Sequence, residues 1–402
     1  MFCYQTAFEV MALDKQNRWL TVLTRIVSYI LVATLASGVT FFICLGERAK
    51  GQTKLEQLEE LIFTCFIGDA DKTAMEDAAA DAMVNALGDR WSYYIPASEY
   101  AAHVEKMNNA YVGIGVTVTD LEDNTGIRVI QVEPDSPALE AGLIPEDVII
   151  EVEGQAVSAI GVDAAKDLIR GEEGTQVSLG VLRNGERINV SVTRKTIQTV
   201  VATGQMLDGN IGLVTIVNFD SRCASETIAR IEELVSRGAT ALIFDVRNNP
   251  GGYKTELVNL LDYLLPEGEL FRSESYTGQQ TVDSSDKDCL EMPMAVIVNG
   301  GSYSAAEFFA AALEEYDWAV VVGEQTSGKG YFQNTFQLND GSAVGLSVGK
   351  YYTPKGVSLA EVGGLKPGVN VDVDQETAAL IYAGLLEPKD DPQIQAAVEA
   401  LK

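Results

Sequence analysis

Histidine is almost absent from this sequence: its 402 residues include one, His103. A serine–histidine–aspartate triad would have to rest on that residue alone. It lies in a short helical pattern, "SEYAAHVEKM", where a satisfied or solvent-facing ring is the plain reading. Cysteine is scarce too. None of the five (Cys3, Cys44, Cys65, Cys223, Cys289) forms a C-x-x-C pair, so the spacing supports neither a zinc site nor a disulfide framework. Cys223 and Cys289 can pair in an oxidising space, but two buried free thiols are the plainer reading. Positive charge is short as well. Lys and Arg number 29 against 58 Asp and Glu, a net charge of −29. Such a surface repels a phosphate backbone and excludes nucleic acid as a partner. It favours solubility and does not by itself point to basic substrates.

What is present includes one long apolar run. Residues 26–45, "IVSYILVATLASGVTFFICL", carry no charge for twenty positions. At about 1.5 Å per residue such a helix spans a bilayer core. A signal-peptide core usually has only about 7–15 residues, so the run reads as an uncleaved anchor after a cytoplasmic segment, residues 1–25. "ATLAS" keeps processing as the alternative. Lys15, Arg18 and Arg25 precede the run and Arg48, Lys50 and Lys54 follow it, so flanking charge orients it poorly.

The sequence as a whole is 47% hydrophobic, enough for the chain beyond the run to build several cores. Apolar spacing predicts helices over 54–66 and 71–87 and another from Ser98. With the aromatic turn "GDRWSYYIP" these make a small helical module, residues 52–108, suited to packing or dimerisation. From Tyr111 the period shortens to that of strands. "QVSLGVLRNGERINVSVTR" reads as a hairpin turning at Asn184-Gly185. Residues 109–196 therefore form a compact β-rich domain with two helices. From 200 to 390 strands and helices alternate, which implies an α/β domain with parallel strands, and residues 391–402 close the chain as a helix. In such sheets the loops after the strands carry the sites, here "NNPGGY" and "NGGSYSAAE".

The second loop presents serines at a strand-to-helix turn. There the next amide, at the helix N-terminus, can donate to an oxyanion, and Gly251 or Gly252 can bring a second donor. The competing reading is helix capping, with Glu307 three residues after Ser304 as a capping box; the local pattern alone favours it. A base has to come from elsewhere, and "GEQTSGKGYFQ" offers Lys329. An exposed lysine near pKa 10.4 is neutral in only about one molecule in a few thousand at pH 7. Lowering it to about 7 takes roughly 4–5 kcal/mol, supplied by burial. By itself, a lysine between two glycines reads as a surface residue.

Taken together and in order, the motifs "ALGDRWSYYIPASEY", "YVGIGV", "SPALEAGL", "FDVRNNPGGY", "VNGGSYSAAEFFAAAL", "VVGEQTSGKGYFQ" and "YYTPKGVSLAEVGGLKPGVNV" resemble the carboxyl-terminal processing proteases, serine peptidases of the tail-specific type, from about Leu58 to Lys402. The resemblance implies a crotonase/ClpP-like α/β core containing parallel strands, an inserted PDZ domain, the helical module and one transmembrane helix. It implies a Ser–Lys dyad of nucleophile Ser304 and base Lys329, twenty-five residues apart, with Gln333 positioning the lysine. The oxyanion hole falls on the amide of Ala305 and that of Gly251 or Gly252. Gly113, Ile114 and Gly115 correspond to the loop that takes a substrate's terminal carboxylate; by themselves these glycines read as a bulge. Arg170 resembles an arginine tied to PDZ-controlled activation.

The implied protein is a single-pass, membrane-anchored endopeptidase with its catalytic part outside the cytoplasm. It acts on proteins with accessible C-termini, needs no cofactor or metal, and forms a homodimer by resemblance alone. The alternative is a catalytically silent PDZ scaffold. Two positions depart from the family pattern Ser-Ala-Ser-Ala-Ser-Glu. Tyr303 is bulkier than the usual alanine and is expected to narrow the site. Ala306 replaces a serine that is not the nucleophile.

Overall fold

The computed structural model describes residues 26–39 and 53–402. It falls into two compact units, one ending at Ala79 and one running from Ala80 to Lys402. The residues of the expected helical module lie on both sides of that boundary. In the first unit residues 26–39 are helical, with apolar side chains such as Ile30, Val32 and Leu35 exposed. Residues 40–45 of the expected anchor, and the segment 1–25, lie outside the described residues. Among those described, no helix is long and apolar enough to cross a membrane. Helix Lys54–Cys65 starts at Thr53, whose hydroxyl accepts from the Glu56 amide at 3.3 Å while Glu56 accepts from the Thr53 amide at 2.6 Å. This reciprocal cap satisfies two of the helix's orphan donors.

In the second unit a six-stranded sheet runs in the order Ala202–Leu207, Ile211–Ile216, Ala241–Asp245, Met294–Val298, Ala319–Gly323 and Val369–Asn370. The first pair is antiparallel and the rest are parallel. Its central strands are almost wholly apolar because both faces are covered. Leu242, Phe244, Val296 and Val298 join the core beneath helices Cys223–Ser236, Lys254–Leu264 and Ala305–Glu315. Ala241, Ile243, Ala295 and Ile297 alternate onto the other face, against Ile394 and Ala397 of helix Pro392–Ala400. Arg247 fastens this last helix. Its side chain is only 4% exposed and pairs with Asp245 at 2.6 Å and Asp391 at 2.8 Å.

A second, antiparallel sheet was not legible as alternating strand and helix. Ala343–Tyr352 lies at its centre, paired with Gly268–Ser275, Tyr331–Gln337 and Tyr93–Ile95. Tyr93–Ile95 belongs to the stretch read as an aromatic turn. This pairing brings the lead-in segment against the strand that follows the lysine loop.

The β-rich domain has its own core, from Ile114 and Ile127 to Val192. Its hairpin turns at Asn184 and Gly185, both with positive φ (52° and 85°), as an Asn-Gly turn requires. Arg194 is buried and donates to the Leu168 and Ile169 carbonyls, closing the end of helix Val162–Ile169. Cys65, Cys223 and Cys289 are free thiols, so the Cys223–Cys289 pairing does not occur. Burial pushes the Cys223 thiol up to about 12.

Replacing Arg247 by Met leaves Asp245 and Asp391 buried without their cation. The expected loss is about 3–5 kcal/mol of stability, read from the urea midpoint, with earlier proteolysis at the C-terminal helix.

Candidate active site

Strand Met294–Val298 ends at Asn299, and helix Ala305–Glu315 begins after Ser304. Ser304 itself has φ 58° and ψ −127°, a backbone conformation costing a non-glycine residue about 1–3 kcal/mol and typical of functional sites. The loop is fixed by side chains. Asn299 Oδ1 accepts the amides of Asn248 (2.9 Å) and Gly301 (3.0 Å), joining the serine loop to the glycine loop. Ser302 is completely buried and donates to the Val246 carbonyl at 2.7 Å. The two serines therefore differ: Ser302 is structural, and Ser304 stands at the helix start.

The glycine loop lies directly against it. Gly251 has φ 84°, and a Cβ there would fall 2.7 Å from Ser304 Cβ and 2.9 Å from the Ala305 nitrogen. The Gly251 amide is already engaged, donating to Asn249 Oδ1 at 2.8 Å. The amides of Gly252 and Ala305 donate to no described residue. Of the two glycines, Gly252 is thus the one with an amide free for an oxyanion. Behind it lies the buried Asp220, whose carboxyl is pushed up to about 7 by burial, against the opposing pull of Lys106.

Glu307 does more than cap. Its carboxylate is fully buried and accepts from the Ser304 amide (2.9 Å), the Thr326 hydroxyl (2.5 Å), the Gly328 amide (2.7 Å) and the Lys329 amide (2.8 Å). Thr326 Oγ1 itself accepts from the Leu365 amide at 2.8 Å, which leaves its proton for Glu307. Burial pushes the Glu307 carboxyl up, and these donors oppose it. Four donors and no acceptor suit the ionised form. One anion thus holds the backbones of both serine and lysine loops.

The Lys329 side chain is half-buried. Burial draws its amine down to about 8, against the raising effect of Glu307 and Asp89. Its Nζ lies 4.8 Å from the centre of the Trp91 ring and 5.7 Å from that of Tyr303. No hydrogen bond joins it to Ser304 Oγ among the described residues. Tyr351 lies beside the Ser304 side chain, and its phenol is pushed up by burial against a lowering effect of Ser304. The Tyr351 ring stacks on Phe332 at 5.2 Å.

Among the described residues no hydrogen bond joins Gln333, expected to position the lysine, to Lys329. The Gln333 side-chain amide donates to the Tyr331 carbonyl (3.2 Å) and to Ser347 Oγ (3.0 Å), because a register shift between Phe332 and Gln333 sets it against Ser347. His103 packs near the rings of Tyr93 and Tyr100 and takes no part in the site. In the β-rich domain the Ile114 carbonyl accepts from Ala138 and the Gly115 carbonyl from Glu133. The amides of Ile114 and Gly115 donate to no described residue. Gly113 is the last residue of strand Ala110–Gly113, which pairs with Lys195–Gln198. Arg170 follows helix Val162–Ile169 and lowers the Tyr111 phenol, which burial and Glu133 raise. Asp89, Trp91, Asp220 and Tyr351 are the site residues that sequence reasoning missed. The aromatic cluster in "GDRWSYY" marked Asp89 and Trp91; nothing local marked Asp220 or Tyr351.

Residues 210–371 match Peptidase family S41, and residues 112–193 match the PDZ domain. The chain is 32% identical over 357 residues to the carboxy-terminal processing protease CtpA of Bacillus subtilis, covering 86% of this chain and 76% of that protein. It is 30% identical to a probable CtpA-like serine protease of Staphylococcus aureus, covering 88% and 70% respectively. Among solved structures it is similar to a photosystem II D1 C-terminal processing protease, with 27% identity, a TM-score of 0.46, and coverage of 80% of this chain and 87% of that one.

Glu307→Gln replaces two acceptor oxygens by one acceptor and one amide group facing N–H donors. At least one donor is left buried and unpaired, at about 1–3 kcal/mol. Peptidase rates should drop by more than tenfold and thermal stability should fall with them. A variant equal to the parent in both assays would remove Glu307 from this role.

Proposed function

Because this chain belongs to peptidase family S41, among the carboxy-terminal processing proteases, we propose that it is a membrane-anchored serine endopeptidase that takes protein C-terminal tails in its PDZ domain and cuts near them with a Ser304–Lys329 dyad. The observation that carries the dyad is the shared carboxylate: Glu307 accepts from the amides of both residues. A lysine drawn down to about 8 is neutral in about a tenth of molecules at pH 7, several hundredfold more often than an exposed one.

In this mechanism Ser304 Oγ attacks the scissile carbonyl as its proton passes to Lys329 Nζ. The tetrahedral oxyanion is received by the amides of Ala305 and Gly252. The lysine ammonium then protonates the departing amine. Water, losing a proton to the now neutral Lys329 amine, attacks the acyl-enzyme; the acid leaves as the lysine ammonium returns that proton to Ser304 Oγ. The chemistry calls for no metal or cofactor.

Tail capture is supported by the unengaged amides of Ile114 and Gly115, which suit a terminal carboxylate, and by the adjoining strand. Val116–Asp120 is an edge strand, paired only with Ile127–Val132, so an extended peptide can add to it. The anchor reading rests on the uncharged run of residues 26–45, with the catalytic part outside the cytoplasm.

Activity depends on the neutral amine, so kcat/KM should climb with pH through about 8 and level off above it. Lys329→Ala should stay folded and lose peptidase activity by several orders of magnitude. Wild-type turnover by that variant, on a substrate with an unstructured C-terminus, would sink the dyad. Amidating the substrate's terminal carboxyl should raise KM with little change in kcat; equal KM values for the two forms would argue against PDZ capture.

A further inference from the structure

The lead-in segment before the β-rich domain takes part in the site in a way the family pattern does not specify. Lys329 Nζ has no hydrogen-bond partner among the described residues. What surrounds it is aromatic: Trp91 at 4.8 Å and Tyr303 at 5.7 Å, two rings whose centres are 5.8 Å apart. Trp91 is held in place from both sides. The Arg90 guanidinium lies 4.3 Å from the centre of the same ring and donates to the Ser327 carbonyl, two residues before Lys329. The Trp91 amide donates to Asp89, and the Asp89 carboxylate also accepts from the Ser92 hydroxyl at 2.6 Å, whose oxygen accepts from the Ser347 amide at 3.1 Å. Ser347 accepts in turn from Gln333. The turn is therefore joined to the lysine loop through Arg90 and to strand Ala343–Tyr352 through Ser92.

Building on the reading of Lys329 as the base, we propose that Trp91 and Tyr303 are positioning residues of the catalytic centre, forming an aromatic sleeve that keeps water from the Lys329 side chain and fixes where its amine lies. The sleeve supplies the constraint that a direct hydrogen bond from Gln333 would otherwise provide. Tyr303 stands where the family pattern has alanine. Its bulk does not simply narrow the site: its ring is the second wall around the amine.

Two effects of the sleeve oppose each other. A cation over aromatic faces is attracted by the negative ring faces, which favours the ammonium, whereas exclusion of water favours the neutral amine. The charged and titratable neighbours are Glu307 from the serine helix, Asp89 and Arg90 from the lead-in turn, and the phenols of Tyr303 and Tyr351. Glu307 and Asp89 favour the ammonium. Burial outweighs them, so loss of a wall should return the lysine towards its exposed behaviour.

The test compares kcat/KM against pH for the parent, Trp91→Ala, Tyr303→Ala, Trp91→Phe and Lys329→Ala in the full chain, each checked for folding by circular dichroism. The alanine variants should need a pH about one unit higher to reach half-maximal kcat/KM, a roughly tenfold loss at pH 7 that recovers at high pH. Trp91→Phe should restore most of the parent profile. In a Ser304→Ala background, the pH at which an acylating reagent begins to modify Lys329, followed by mass spectrometry, should rise by the same amount. If Trp91→Ala fails to fold, Tyr303→Ala decides the matter. A uniform loss at every pH, an unmoved profile or a shift to lower pH overturns the sleeve. If Lys329→Ala is inactive while the profiles stay put, the sleeve fails and the dyad stands; an active Lys329→Ala removes the dyad itself.

Discussion

The site depends on one buried anion. A carboxylate moved away from water costs several kcal/mol unless its oxygens are satisfied. Glu307 meets that condition only with the Ser304 amide, the Thr326 hydroxyl and the amides of Gly328 and Lys329 all in place. The requirement fixes the lysine loop against the start of the serine helix, whatever either loop would do alone. It also has an electrostatic consequence. The negative charge that assembles the site favours the ammonium form of Lys329, while the proposed mechanism needs the amine. Burial has to outweigh it, and the rings of Trp91 and Tyr303 lie beside the nitrogen.

The fold makes this arrangement available. A parallel sheet covered on both faces delivers its following loops to one end, so the loops after Ala241–Asp245, Met294–Val298 and Ala319–Gly323 meet there. Arg247 ties the last helix to the first of those loops. The antiparallel sheet contributes differently. Its central strand brings Ser347 to Ser92, the partner of Asp89, and Tyr351 beside Ser304, so it works as a second wall of the site rather than as decoration on the α/β core. The antiparallel strand Ala202–Leu207 ends the main sheet on one side, opposite the short pairing of Val369–Asn370.

Much of this was legible locally. Strong periodicity marked the helices and the buried strands, and Asn184-Gly185 marked its hairpin, because each signal lies within a few residues. Tyr331–Gln337 escaped notice because it is largely exposed and so lacks the apolar alternation that marks a half-buried strand. Tyr93–Ile95 is three residues long, too short for a period to show. Gln333 sits in the expected motif, yet a register shift directs its amide to Ser347. The choice between Gly251 and Gly252 could not be made from two adjacent glycines, since it turns on where the Asn249 side chain points.

The sequence by itself determined the parts: two strand-to-helix loops, a glycine-rich turn, an edge-strand domain, and a serine and a lysine at a family-like spacing. Those are local or near-local properties of the chain, set by periodicity, capping and turn chemistry. Tertiary structure alone decided what surrounds the lysine. Arg90 meets the Ser327 carbonyl across 237 residues and Ser92 meets the Ser347 amide across 255. No pattern within a segment encodes such partners. They are selected by which buried polar groups can all be satisfied at once, and that is settled only when both sheets and the lead-in turn close around the same few side chains.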